Sequence, residues 1–498
     1  MIVLSSLSIL GQPGLRPRGD VNRDWTVNIS DVNALIDSIF HDAKYHSFYS
    51  YDADVNGDHA INISDLNAVI GAIMGYALPP MPSYSGTLPV LYINTQGHRN
   101  IDSKEHYLDA VWWLDAMGLD GYKSIGSPEH PLGMEIKGRG NYTWNDLDKK
   151  PFRIKLNEKQ PILGMKSNRH YCLLAHADDH YAKLKNAFGF ELSRRIGMPY
   201  TPAQKPVEVV LNGQYIGLYF LTEKIRVEND RVNITKQNDN ETDSTRITGG
   251  WLLEIDNNTD SNTIYIKERN DGQHWYDWLW ITTHSPEVLS PEQRQYITQF
   301  LTQANDAIYC EDKDSTEWEK YIDIDALARF YIVGEIMDDV EYFDGSCYMY
   351  KDRGDSTKLI FGPVWDFGDS FLRMVLCPDA TSFDYFLWQQ PCFFYNQWIE
   401  EIYKFPHFQE VVRQQWQDFY ASGFNGLNIN QFIANHLESI RQAWYCDAAR
   451  WTKGNDIDWE AEVFEGHLRS KIAWLNTQWG DTISSDDQQL NNTVKPCF

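Results

Sequence analysis

Asp20-Val-Asn-Arg-Asp-Trp-Thr-Val-Asn-Ile-Ser-Asp31 and Asp54-Val-Asn-Gly-Asp-His-Ala-Ile-Asn-Ile-Ser-Asp65 carry one pattern of oxygen-bearing residues twice, 34 residues apart. A hard divalent cation of calcium's size takes about six to eight oxygens, and a tight loop supplies them from its first, third, fifth, seventh, ninth and twelfth positions. Those positions are Asp20, Asn22, Asp24, the Thr26 carbonyl, Asn28 and Asp31 in the first loop. In the second they are Asp54, Asn56, Asp58, the Ala60 carbonyl, Asn62 and Asp65, so two calcium ions are expected. Both loops close on Asp rather than the longer Glu of a full EF-hand, and Gln12-Pro-Gly-Leu-Arg-Pro-Arg-Gly19 offers no entering helix. The unit reads as loop, then helix. Val32, Leu35, Ile36, Ile39 and Phe40, and again Leu66, Val69, Ile70, Ile73 and Met74, recur at helical spacing. Neither repeat can bury its stripe alone, so the two are expected to pack antiparallel into a small all-α module with the ions clamping the loops. Residues 20–76 hold nine Asp, no Glu and two basic residues, so their charges repel until metal binds.

Ahead of the loops, Met1-Ile-Val-Leu-Ser-Ser-Leu-Ser-Ile-Leu10 is apolar, lacks a basic segment and is too short to span a bilayer. Residues 1–18 read as the end of a signal peptide or as a leader, and no later stretch predicts a membrane span. A chain of 498 residues is too long for one core, and 42% apolar residues suffice for conventional globular domains. The net charge of −26 excludes nucleic acid as a partner, since phosphate binding needs the opposite sign. Seven Cys with no CxxC pair and no zinc spacing define no disulfide framework, although one or two bridges fit the count.

Behind the loops, Ala77-Leu-Pro-Pro-Met-Pro-Ser-Tyr-Ser-Gly86 predicts an extended linker over 78–87, with a large domain over 88–498. Short β-type runs fill its first part, at 90–94, 133–137, 152–156, 207–211, 217–221 and 251–256, with a hairpin turn at Asn212-Gly213 and a helix near 182–196. Ser290-Pro-Glu opens a helix by N-cap logic, and further helical patterns lie near 323–337, 408–420, 428–446 and 458–476. Strands return at 348–350 and 359–361. The large domain is expected to be mixed α+β, in an order compatible with a two-lobed enzyme.

Several motifs in this domain bear chemistry. Gly138-Arg139-Gly140 follows a strand and reads either as a plain hairpin or as a turn whose amides cradle phosphate oxygens beside Arg139. Lys149-Lys-Pro-Phe-Arg-Ile-Lys-Leu156 alternates, putting Arg153 and Lys155 on one face as exposed cations or as an anion site. Glu223 ends a strand, and Glu335-Ile-Met-Asp-Asp-Val-Glu-Tyr-Phe-Asp344 closes an apolar helix with carboxylates. Asp366, in a turn after a strand, suits either a helix cap or a magnesium ligand. Fourteen per cent aromatic residues, with the cluster Trp275-Tyr-Asp-Trp-Leu-Trp280, fit a large core or a sugar-stacking surface.

The paired loops with their helices resemble type I dockerins over residues 19–77, with Trp25 and His59 where the sixth loop position usually has Gly. That resemblance implies docking to a cohesin module, with Ile29, Ser30, Ile63 and Ser64 near the contact. KGRGNYTW, KKPFRIKL, LGMKSNRHYCLLA, LNGQYIGLYFLTEKI, GGWLLEID and FGPVWDF, in that order, resemble the CotH family of spore-coat proteins with an atypical protein-kinase-like fold. What this implies is a two-lobed kinase-like domain transferring a phosphoryl group from Mg2+-bound ATP to Ser or Thr of a protein. On that reading Arg139, Arg153 and Lys155 meet phosphates and Glu223 orients Lys155. Asp366 holds the metal, and a carboxylate among Asp338, Asp339 and Glu341 accepts the substrate proton. Ser346 and Gly368 stand where family members commonly carry Asn and Asp, which would remove two metal ligands. The two functional expectations are therefore a bacterial, secreted or cell-surface kinase, and a catalytically reduced interaction or carbohydrate-contacting module in a cellulosome-like, polysaccharide-degrading assembly.

Overall fold

The computed structural model describes residues 19–22, 24, 26–40, 55–56, 62–76, 84–256, 258–267, 278–372, 382–389, 397–422, 426–451 and 456–480. Asn28 and Asn62 each turn a loop into a helix in the same way. The Asn side chain accepts the amide two residues on, at 2.8 Å in both, and the Asp three residues on accepts the Asn amide, at 2.8 and 2.9 Å. Helices α1 (Ile29–Phe40) and α2 (Ile63–Ile73) follow. Their shared core is Val21, Val32, Ala34, Leu35, Val55 and Val69. The apolar stripes are only partly buried: Ile36, Ile70, Ile73 and Met74 are exposed, because the two loop valines complete a core too small to cover them.

The chain divides into two compact units, one drawn from Met1–Ala182, Lys205–Leu221 and Asn435–Ala461 and the other from Lys183–Gln204, Thr222–Ala434 and Glu462–Phe498. In the first, seven strands close a barrel: β1 (Val90–Thr95), β2 (Leu108–Asp115), β3 (Leu132–Gly138), β4 (Phe152–Gln160), β5 (Asn168–Leu174), β6 (Gln204–Leu211) and β7 (Gln214–Glu223). Closure is by β1 running parallel to β6, with Val90 opposite Glu208. Alternation sends Met134, Ile136, Ile154 and Leu156 inward and leaves Glu135, Lys137, Arg153 and Lys155 outward. Asn212 and Gly213 both have positive φ, the conformation a tight β-hairpin needs.

Two buried charges fasten the barrel. Lys149, 3% exposed, pairs with Asp447 Oδ1 at 2.7 Å, donates to the carbonyls of Ala175 and Leu218, and lies over the Tyr219 ring. Asp447 Oδ1 also accepts the Leu218 amide at 2.9 Å, so the ammonium and the carboxylate both have full sets of partners. Glu208 is fully buried, and burial lifts its carboxyl above the usual range. It accepts from the Ser85 amide at 3.0 Å, the Ser85 hydroxyl at 2.6 Å and the Tyr215 hydroxyl at 2.7 Å. Ser85, five residues ahead of β1, is thereby clipped to β6.

The second unit is built on an antiparallel sheet in the order β12 (Ile360–Phe361), β11 (Cys347–Lys351), β8 (Trp251–Ile255), β10 (Trp278–Ser285), β9 (Thr263–Lys267). Its helices are α4 (Leu184–Arg195), α5 (Pro291–Ile308), α6 (Ile324–Met337), α7 (Gln397–Tyr403), α8 (Pro406–Ala421), and the ends of α9 (Gly426–Trp451) and α10 (Ile457–Trp479) that fall within it; a one-turn α3 (Tyr142–Asn145) belongs to the first unit. Ser290 and Gln293 form the expected reciprocal cap of α5. Lys183 is left-handed, so α4 starts at Leu184 rather than at 182. Cys172, Cys310, Cys347 and Cys446 are free; Cys377, Cys392 and Cys497 lie outside the described residues. No described helix is long and apolar enough to cross a membrane.

Breaking the Lys149–Asp447 pair leaves a buried carboxylate without its cation. Lys149→Met is expected to cost about 3–5 kcal/mol, read as a lower urea midpoint of the full chain, and an unchanged midpoint rejects the fastening role.

Candidate functional site

Helix α6 prepares the site by the way it ends. Its last turn is buried, and at Asp338 the backbone becomes left-handed, φ +47°. Asp339 then pairs across an isolated antiparallel bridge with Ser370. The Ser370 hydroxyl donates to Asp339 Oδ2 at 3.1 Å, and the Glu341 amide donates to Asp339 Oδ1 at 3.1 Å. The irregular segment that brings Ser370 turns at Asp366, also left-handed at φ +57°. Its neighbour Phe367 donates its amide to Asn186 Oδ1 at 3.3 Å. The Phe367 ring rests on Gly189 of α4, where a Cβ would come within 2.3 Å of it, so loop and helix meet only because that position lacks a side chain.

These turns gather like charges. Burial drives the Asp339 carboxyl well above the ordinary range; Asp369, Glu341 and Asp366 push it further, and Lys185 opposes them. Glu341 meets solvent, yet it rises to about 8, first through the protein packed around its carboxyl and then through Asp369, Asp366 and Asp344. Asp339 is buried, Asp369 half-buried, and Asp366 exposed, so the acids run from the interior to solvent. Lys185, 3% exposed, donates to the Gly368 carbonyl at 2.6 Å. Among the described residues no three His, Cys, Asp or Glu stand close enough to hold an ion by themselves. Magnesium takes only one or two carboxylates and fills its shell with waters and phosphate oxygens, so this donor set fits it.

Asp339, Glu341 and Asp366, expected from the sequence, are thus brought together. Sequence reasoning missed Asp369 and Lys185. The signal for the first was present, since Trp365-Asp-Phe-Gly-Asp369 keeps a second acid one residue beyond the Trp-Asp-x-Asp spacing.

The expected phosphate-binding residues have other neighbours. Lys155 pairs with Glu135 Oε2 at 2.6 Å, both side chains about one-third exposed. Arg153, Lys155 and Lys137 converge on the Tyr107 ring, 6.0, 5.9 and 5.0 Å from its centroid. Around Arg139 the glycines serve packing: a Cβ on Gly138 would strike Trp144, and Gly140 has φ +88°. Glu223 does not orient Lys155. Its partners are Arg231 Nη1 at 2.9 Å, the Tyr200 hydroxyl at 3.1 Å and the Ala203 amide at 3.0 Å, and burial raises its carboxyl. The aromatic residues mostly build core: Trp112, Trp251, Trp318, Trp398 and Trp416 are fully buried.

In the calcium-type loops, Asp31 and Asp65 are buried and act as twins. Each takes one loop amide on each oxygen: Asn22 at 3.0 Å and Asn28 at 2.8 Å for Asp31, Asn56 at 3.0 Å and Asn62 at 2.9 Å for Asp65. Asp20 Oδ1 accepts the Asp24 amide, and Asp24 accepts the Thr26 amide. Asp54, Asp58 and Ala60, with Trp25 and His59, lie outside the described residues.

Residues 136–475 match the family described as CotH kinase protein, over more than half of the chain. The chain belongs to this family. Residues 18–74 match the dockerin type I domain, a module that binds calcium and docks to cohesin. No curated protein matches the chain. The CotH match takes in every member of the acid group, together with Arg139, Arg153, Lys155 and Glu223, while β1 and β2 precede it.

Because the folded CotH domain holds the Glu341 proton more tightly than an unfolded chain does, it binds more protons than the unfolded state between pH 4.5 and about 8. Stability in chelator therefore falls as pH rises through that window. Glu341 contributes about 1 kcal/mol after solvent screening, and Glu341→Gln flattens the slope by that amount. Urea midpoints at about pH 5, 7 and 9 check this, and a midpoint that climbs with pH contradicts it.

Proposed function

We propose that this is a bacterial, secreted or cell-surface phosphotransferase of the CotH type, a two-lobed kinase-like domain over 88–498 joined by the 78–87 linker to an all-α dockerin over 19–77. Its reaction is transfer of the γ-phosphoryl group of Mg-ATP to Ser or Thr of a protein. The observation that carries the reading is the gathering of Asp339, Glu341, Asp366 and Asp369 beside buried Lys185. Phosphoryl transfer asks a protein mainly for positioning and charge stabilisation, which carboxylates supply through a metal and as proton acceptors. Asp366 and Asp369 would hold magnesium, whose charge offsets the negative charge spreading over the transferred group. Asp369 supplies an acid where Gly368 cannot. Glu341 is proposed as the acceptor of the hydroxyl proton once a bound cation offsets the acidic neighbours that now hold its proton, and buried Asp339 anchors the group. Arg139, Arg153 and Lys155 are the cations proposed for the phosphates. Glu223, engaged with Arg231, is proposed to brace the fold.

Titrating Mg-ATP into the full chain and following labelled phosphoryl transfer tests this. Nucleotide is expected to bind only with magnesium, and Asp366→Ala to lower transfer by on the order of a hundredfold with the circular dichroism unchanged. Absence of nucleotide binding overturns the reading. It would favour the interaction or carbohydrate-contacting module, for which Trp278 and Tyr265, 44% and 51% exposed on neighbouring strands, are the supporting observation.

For docking, Ile29 and Ile63 are 66% and 58% exposed at equivalent helix starts, next to exposed Ser30 and Ser64. We assign them to two alternative cohesin-binding faces. With purified type I cohesins, Ile29→Asp or Ile63→Asp alone should weaken binding by about twofold, and the pair together by about a hundredfold. Chelator should abolish binding to the unsubstituted protein, and chelator-resistant binding rejects the calcium assignment.

A further inference from the structure

Lys471 of α10 is fully buried between Asp338, the residue before Asp339, and Glu335, one helical turn earlier. Its ammonium stands 3.1 Å from Asp338 Oδ1 and 3.3 Å from Glu335 Oε2, and donates to the Tyr385 carbonyl at 2.6 Å. Tyr385 closes the ring by donating its hydroxyl to Asp338 Oδ2 at 2.6 Å. Glu335 receives the Leu387 amide on both oxygens, at 3.0 and 3.1 Å, and burial lifts its carboxyl to about 7 against the pull of Lys471. The ammonium also lies over the rings of Tyr385 and Trp474, at 4.2 and 5.2 Å. Lys471, Glu335 and Asp338 are all 0% exposed.

The geometry of Asp338 shows what this node does. A residue with a Cβ takes the left-handed conformation reluctantly and keeps it only where the surroundings over-determine it. Here one carboxylate oxygen of Asp338 pairs with the Lys471 charge without a hydrogen bond, the other accepts the Tyr385 hydroxyl, and its carbonyl accepts the Phe371 amide at 3.0 Å. The next residue is Asp339, whose bridge partner Ser370 is the residue before Phe371. The φ and ψ of Asp338 set the direction in which the chain carries Asp339 toward Asp366 and Asp369. We propose that Lys471 is a positioning residue: it locks the left-handed turn at Asp338 and so holds Asp339 against its bridge partner Ser370. The proposal rests on the kinase reading for its consequence in turnover, and on the turn alone for its structural part.

The test uses the full chain and two readouts. In Lys471→Met, the amides of residues 366–372 are expected to exchange with deuterium about tenfold faster, while β8 and β11 keep their protection. Transfer at saturating Mg-ATP falls about tenfold with the KM for ATP held within about twofold. Tyr385→Phe removes one hydroxyl, keeps the ring and is expected to move both readouts in the same direction; it carries the test if Lys471→Met does not fold. Unchanged exchange at 366–372 in both variants overturns the proposal, as does faster exchange spread evenly over the unit, which is general support and not positioning. If the unsubstituted protein transfers nothing but local exchange still rises, the kinase reading falls and the positioning of Asp339 stands.

Discussion

Carboxylates gathered from the interior out to solvent constrain the turns of the second unit that carry them. Asp366 and Asp369 raise the proton affinity of Asp339 and Glu341, and in a medium of reduced dielectric such pairs repel by a few kcal/mol. Backbone turns are what hold them. Asp338 and Asp366 are both left-handed, Phe367 is seated on a glycine, and Lys185 reaches the carbonyl of Gly368. None of these lowers the repulsion as much as a divalent cation would. The arrangement is therefore more comfortable with a positive ion than without one.

Buried and exposed cations divide the remaining work. Lys149, Lys471 and Lys351 are each 3% exposed or less and surrounded by acceptors, which marks them as internal fasteners. Lys155 and its partner Glu135 are a third exposed, a pairing worth under about 1 kcal/mol, so that cation remains available to an anion. Lys185 is the exception, as buried as these fasteners and yet part of the acid group.

What the sequence revealed followed how local each signal was. The calcium-type loops were legible because every candidate ligand lies within twelve residues, and Asp31 and Asp65 organise their loops as that pattern requires. The α5 cap at Ser290 was legible for the same reason. Strand β2 was not: in Leu108–Asp115 the outward face carries Val111 and Trp113 beside inward Trp112 and Leu114, which blurs the alternation. Strand β5 opens with Asn168, Arg169 and His170 and becomes apolar only later. The partners of Glu223 and Lys155 depend on which strands become neighbours, so spacing alone could not reveal them. Asp369 was hidden by a one-residue shift against a familiar spacing.

The clip between Ser85 and Glu208 has a consequence for reach. Tyr76 closes the helical module with its amide bonded to the Gly71 carbonyl, and Ser85 is bonded to Glu208 of the barrel. Nine peptide steps separate the two, at most about 30 Å when fully stretched. A chain of that length carries the pinned edge of the barrel no further than this from a helical module held by a partner. A protein held by the same partner would then be met at an effective concentration of roughly millimolar order. Neighbourhood, set by a serine and a buried glutamate, would then choose among targets before any recognition of their sequence began.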